Sequence, residues 1–261
     1  MQALLFDMDG VLYNSEEPIP GAAETLAWVR NREIPHLFVT NTTSRGRDAL
    51  AAKLVRFGIP ANSSEIMTPC EAAADWLRSR AARRVALFLR PAARPAFDGL
   101  DLLSDDAESG AQYVVIGDLA SAWDFATLNR AFRLLHSNPE TVLIALGMTR
   151  YWKAADGMSL DVAPFVAALE HAVGRKALVL GKPAAEFFQA AADRLGVPNR
   201  EILMVGDDIE TDIAGAQSAG MEAALVRTGK FRELDLAGPV APDAVLDSVA
   251  ELPAWWARNV T

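Results

Sequence analysis

Short, unbroken apolar runs that stop at a polar residue recur along this chain, and they limit its fold more than any other feature. Ala3-Leu4-Leu5-Phe6 stops at Asp7, Leu37-Phe38-Val39 at Thr40, and the run 202–205 at Gly206-Asp207-Asp208. Apolarity without alternation suits a strand covered on both faces, as in a parallel sheet. Residues 22–32, a stretch running to about Leu54, and 184–195 read as helices between such runs. Two further strands are expected at 177–180, ending in Gly181-Lys182-Pro183, and at 223–226. Alternating strand and helix predicts an α/β fold built on a doubly wound parallel sheet. In such sheets ligands gather just outside the carboxyl ends of the strands. Asp7, Thr40, Lys182 and Asp207 are therefore expected on one rim.

The middle of the chain has strand candidates of its own at 85–89, 113–116 and 142–145. It also has a helix candidate at 161–171, where Val162, Phe165, Val166 and Leu169 recur at helical spacing. About 100 residues suffice for an independent α/β domain. The expected organisation is a first core segment at 1–79, an inserted α/β domain at 80–176 and a second core segment at 177–261. Flanked by the two halves of one sheet, the insertion is placed to act as a cap over its rim.

Composition narrows the partners. Lys plus Arg number 25 against 34 Asp plus Glu, a formal net charge of −9. A nucleic-acid or anionic-membrane binder needs a cationic footprint, so neither is expected. Cys70 is the sole cysteine, which excludes an internal disulfide and points to a reducing compartment. The opening MQALLFDMDG has no basic region before its apolar run, and no apolar stretch approaches the ~18 residues of a bilayer span. A soluble, cytoplasmic protein is the expectation.

The rim residues carry the chemistry. Asp7 and Asp9 bracket a single residue in DMDG, and Gly10 lets the chain turn sharply. Two carboxylates about 4 Å apart repel by ~4 kcal/mol at an effective dielectric near 20. Asp207 on the same rim adds to that repulsion, and a hard cation such as Mg²⁺ relieves it. A carboxylate facing a phosphoryl group can attack it to form an aspartyl phosphate, which makes Asp7 the candidate nucleophile. Lys182 and the Thr40 hydroxyl would hold the phosphate oxygens. Asp9 is the candidate acid for the leaving oxygen and base for the attacking water. Among the acids of GDDIETD, Asp207 stands nearest the strand end and is the preferred metal ligand. Asp208 and Asp212 are secondary candidates for the metal or for supporting it.

Taken singly, each residue has a plainer explanation: turn chemistry for Asp7-Met8-Asp9, a helix cap for Thr40-Asn41, a solvated surface for Lys182, dipole pairing for the Asp208 cluster. Their joint occurrence in order, each after a strand, favours a site. The preferred reading is a Mg²⁺-dependent phosphatase acting on a small phosphorylated metabolite. A phosphotransferase or mutase is an alternative, as is a phospho-acceptor signalling module, although Asp9 and the insertion argue against the latter.

The motifs FDMDGVL, FVTN, Gly181-Lys182-Pro183 and VGDDIETDI together resemble the haloacid-dehalogenase superfamily over nearly the whole chain. An insertion between the second and third motifs is similar to the NagD-like, nitrophenylphosphatase-like subfamily IIA. LGMTRYWKAADGMSLDVAPFVAALEHA, VLGKPAAEFF and AGAQSAGMEAALVRTGKF are similar to the phospholysine phosphohistidine inorganic pyrophosphate phosphatases. The resemblance implies Asp7 as nucleophile and Asp9 as acid/base. It implies Mg²⁺ held by Asp7, Asp207 and the Asp9 backbone carbonyl, and phosphate held by Thr40, Asn41 and Lys182. It also implies homodimers through the cap. The chain departs from the phospholysine group in carrying Asp9 where those enzymes commonly have Ser, which fits the NagD-like enzymes and weakens any transfer of their substrates. Arg150, Tyr151, Trp152 and Lys153 form a cationic and aromatic cluster expected either to contact substrate or a second cap, or to pack within the cap. His36, His136 and His171 fall outside every motif.

Overall fold

The structure is a computed structural model that describes residues 1–154 and 157–260. The chain divides into two compact units, Met1–Thr40 with Arg47–Met67 and Lys182–Thr261, and Asn41–Gly46 with Thr68–Gly181. Among the described residues no helix is long and apolar enough to cross a membrane.

In the first unit a six-stranded sheet runs in the order Ala244–Leu246, Glu222–Val226, Ile202–Gly206, Ala3–Asp7, His36–Val39 and Ile66–Met67. Every neighbouring pair is parallel. Ala3–Asp7 is wholly buried, and its side chains alternate between faces as a strand requires. Leu4 and Phe6 join the cluster of Leu26, Val29, Phe38, Leu54, Val205 and Trp256. The Trp255-Trp256 pair thus closes the core from the terminal helix Leu252–Asn259. The chain starts in the middle of the sheet, extends to one side through His36–Val39, and later returns on the other through Ile202–Gly206. That reversal creates a crevice between Ala3–Asp7 and Ile202–Gly206, the place where such sheets receive ligands.

The second unit has its own four-stranded parallel sheet, ordered Leu178–Val179, Val142–Ala145, Tyr113–Ile116 and Val85–Phe88. The helices Phe125–His136 and Val162–Val173 pack on it through Leu134, Leu135, Val166 and Leu169. Between Val142–Ala145 and Val162–Val173 the strands Tyr151–Ala154 and Gly157–Leu160 pair antiparallel. Arg150 lies over the Tyr151 ring, while the side chains of Trp152 and Lys153 are outside the described residues.

One expectation is corrected. The strand 177–180 does not extend the first sheet: Leu178 and Val179 pair with Ile144 and Ala145 of the second. A short apolar run carries no mark of which sheet it will join, and here Leu180 buries among Val115, Ile144 and Leu146. The helix Pro69–Ser79 also falls in the second unit, where the sequence-drawn boundary at 80 left it with the first. It starts on a capping box made by Thr68 and Glu71 with Pro at the first turn. Its Cys70, Ala73, Ala74 and Leu77 pack against Val85, Leu87 and Phe97. Burial raises the Cys70 thiol to about 12, consistent with a packing residue.

Candidate active site

Two adjacent strands deliver the acids. Ala3–Asp7 ends in Asp7; Ile202–Gly206, paired with it through Phe6↔Val205, is followed at once by Asp207. Both carboxylates are buried. Lys182, also buried, reaches them from the turn that follows Gly181, not from a strand of the first sheet. Its Nζ lies 2.5 Å from Asp7 Oδ1 and 2.7 Å from Asp212 Oδ1.

Asp212 stands on the helical segment Ile209–Ala214 and is 1% exposed. Its second oxygen accepts the backbone N–H groups of Asp207 and Asp208, each at 3.2 Å. Both oxygens of Asp212 are therefore occupied, one aiming Lys182 and the other shaping the turn that carries Asp207. Asp208 is turned away from this group. It caps the same helical segment, accepting from the Glu210 and Thr211 N–H groups at 3.0 Å each, and pairs with Lys230 Nζ at 3.3 Å.

The charge balance is uneven. Burial pushes the Asp7 carboxyl up to about 7, helped by the Asp212 and Asp207 charges and opposed by Lys182. Burial likewise raises Asp207 to about 6. Burial alone would lower the Lys182 ammonium, yet Asp212 and Asp7 hold it above its ordinary value. The Lys182 ammonium, with that of Lys230 paired to Asp208 beyond it, faces three carboxylates whose potential ligand atoms lie within 4.8 Å of one another. Asp207 Oδ1 is buried without a hydrogen-bond partner. An orphaned carboxylate oxygen in an oxygen-only, net-negative pocket fits a hard divalent cation.

The other expected residues are placed as follows. Asp9 is exposed, two residues beyond Asp7, and its carboxylate accepts the Ser15 N–H at 3.2 Å from the hairpin Tyr13–Asn14 with Glu17–Pro18. Thr40 is buried one residue past Val39, the register partner of Asp7. Asn41 begins the second unit. The structure thus gathers Asp7, Lys182, Asp207 and Asp212 directly, and leaves Asp208 to capping. Sequence reasoning missed the segment 228–230. Lys230 N–H donates to Asp207 Oδ2 at 2.7 Å, and Thr228 Oγ1 donates to the Gly10 carbonyl. The available signal was a Gly-Lys pair shortly after the strand ending at Val226.

The chain is similar to known proteins in both sequence and fold. The family described as haloacid dehalogenase-like hydrolase matches residues 4–102, and a second, HAD-hydrolase-like, matches 179–252. Phospholysine phosphohistidine inorganic pyrophosphate phosphatase of Homo sapiens is 37% identical over 256 residues, spanning 96% of this chain and 92% of that protein. The p-nitrophenyl phosphatase structure from Archaeoglobus fulgidus is similar with a TM-score of 0.88 and 26% identity, over 97% of this chain and 98% of that one. NagD from E. coli K-12 shares the fold at a TM-score of 0.86 and 24% identity, over 96% of this chain and 98% of that one.

Proposed function

The chain belongs to the haloacid-dehalogenase-like hydrolases, in the NagD-like group of phosphatases, and on that premise we propose that it hydrolyses a small phosphorylated metabolite through an aspartyl phosphate on Asp7. The observation that carries this reading is Lys182 Nζ held between Asp7 and Asp212, with the buried carboxylate of Asp207 in the same cluster. A lysine fixed in that way remains charged and meets a phosphoryl group at the nucleophile without having to be reoriented.

Asp7 attacks phosphorus, and the bond from phosphorus to the leaving oxygen breaks with its electron pair passing to that oxygen. Asp9 gives the oxygen a proton. In the second half Asp9, now a carboxylate, removes a proton from water as the water oxygen attacks the same phosphorus. The bond from phosphorus to Asp7 breaks, releasing inorganic phosphate and restoring both aspartates. Lys182, Thr40 and Asn41 bind the phosphate oxygens. Asp7, Asp207 and the Asp9 carbonyl would hold Mg²⁺, which when bound offsets the repulsion between carboxylate and phosphate. Asp9 supplies the acid that an alcohol leaving group requires, so phosphate monoesters are preferred over the substrates in the human relative's name.

Asp7→Asn tests the nucleophile. Turnover of p-nitrophenyl phosphate should fall by on the order of 10³-fold or more, because a nucleophile cannot be replaced by its neighbours. Lys182 keeps Asp212 as a partner, so the fold should persist. A variant working at the wild-type rate would remove Asp7 from the reaction. In ¹⁸O-labelled water the released phosphate should carry the label, and a phosphoryl group found on an added acceptor hydroxyl with no labelled phosphate released would replace hydrolysis with transfer.

A further inference from the structure

We infer that the segment Thr228-Gly229-Lys230 is the positioning device for the Asp207 carboxylate and sets how tightly Asp207 holds its cation. The inference rests on the metal reading of Asp207 given above, and extends it to three residues outside the acidic motif.

Topology brings the segment to the site. The strand Glu222–Val226 runs parallel to Ile202–Gly206 with Leu225 opposite Gly206, so the residues after Val226 leave the sheet on the same rim as Asp207. Three contacts then converge. Lys230 N–H donates to Asp207 Oδ2 at 2.7 Å. Gly229, with φ of 65°, lies so close that any Cβ there would collide with the same oxygen and with Gly10 Cα. Thr228 Oγ1 donates to the Gly10 carbonyl, tying the segment to the turn that follows Asp7-Met8-Asp9. Gly10, at φ 95°, also lies against the Asp207 carboxylate, again with no room for a Cβ.

The consequence for Asp207 is asymmetric. Oδ2 has a donor and two glycine backbones against it, while Oδ1 is buried with no partner. A carboxylate free to rotate would present either oxygen to a cation; this one is pinned by the first and offers the second. Mg²⁺ demands near-octahedral placement of its ligands. Partners that orient a ligating carboxylate typically change metal affinity about 10- to 100-fold when removed.

The test is calorimetric titration of Mg²⁺ alone into the full-length protein and its Thr228→Val, Thr228→Ala and Thr228→Ser variants. Thr228→Val keeps the volume and removes the donor to Gly10, and Thr228→Ala serves should the first variant fail to fold. Both should bind Mg²⁺ about 10-fold more weakly, while Thr228→Ser, which keeps the hydroxyl, should bind close to wild type. At saturating Mg²⁺ the KM for p-nitrophenyl phosphate should be unchanged in all three. Folded Thr228→Val and Thr228→Ala proteins with wild-type Mg²⁺ affinity would overturn the positioning role and leave the phosphatase reading intact. A wild-type protein that takes up no Mg²⁺ would overturn both.

Discussion

Asp208 and Asp212 lie four positions apart in one acidic run, yet their carboxylates answer to different neighbours. Asp212 is enclosed by a lysine ammonium and two backbone N–H groups. Removing it takes one carboxylate from the buried Lys182 and strips two buried donors of their acceptor. Asp212→Ala should therefore cost roughly 3 kcal/mol of stability, the scale for breaking a buried ion pair. Asp208 closes the first turn of a helical segment, and its exchange for alanine should cost about 1 kcal/mol, as loss of a cap does. Urea denaturation of the two variants measures both values. Equal losses would show that Lys182 does not depend on Asp212.

At the scale of the element, the strand His36–Val39 carries a titratable group into the edge of the core. His36 Nδ1 sits 3.0 Å from the Ile34 carbonyl, its Nε2 is buried without a partner, and its ring meets Phe6 and Phe38 edge-on. Burial holds its pKa below the ordinary 6.5, with Arg30 adding to the effect and Glu65 opposing it. The unfolded chain binds this proton at a pH where the folded one does not, so stability falls as pH drops through the ordinary histidine range. Glu65 acts at lower pH. Burial would raise its pKa, but hydrogen bonds from Arg30 at 2.7 and 2.9 Å and from the Asn62 N–H hold it below 4.5. Its contribution is present above the unfolded value and is lost as pH falls through the folded one. Between about pH 7.5 and about pH 5.5 the raised carboxyls of Asp7 and Asp207 pull the other way, because the folded chain takes up their protons first. The histidine's share is therefore read from the difference between wild type and His36→Gln. The urea midpoint of the variant should shift toward higher stability, relative to wild type, on acidification across that window, and an identical shift in both would remove His36 from the pH response.

At the scale of the whole molecule, the acidic cluster links metal, stability and activity. A cation that binds the folded chain alone stabilises it by about 2.7 kcal/mol at a hundredfold excess over its Kd. Thermal melts with Mg²⁺ should rise by several degrees over melts with a chelator, chelation should abolish turnover, and Asp207→Asn should remove the thermal response. An unchanged melting temperature in saturating Mg²⁺ would speak against the site. Much of this arrangement was legible beforehand. Unbroken apolar runs are a local property of strands buried on both faces, so Ala3–Asp7 and Ile202–Gly206 could be placed, and with them Asp7 and Asp207 on one rim. Pairing is not local. Nothing in residues 177–180 distinguished one sheet from the other, and the edge strands Ile66–Met67 and Ala244–Leu246 were too short to form a pattern. The sequence by itself determined which side chains could do chemistry and on which side of a sheet they would emerge, because alternation and strand ends are set by neighbouring residues. Only the tertiary structure decided that Lys182 arrives from a turn, that Asp212 aims it while Asp208 caps a helix, and that residues 228–230 press on Asp207, because each of those depends on contacts between segments far apart in the chain.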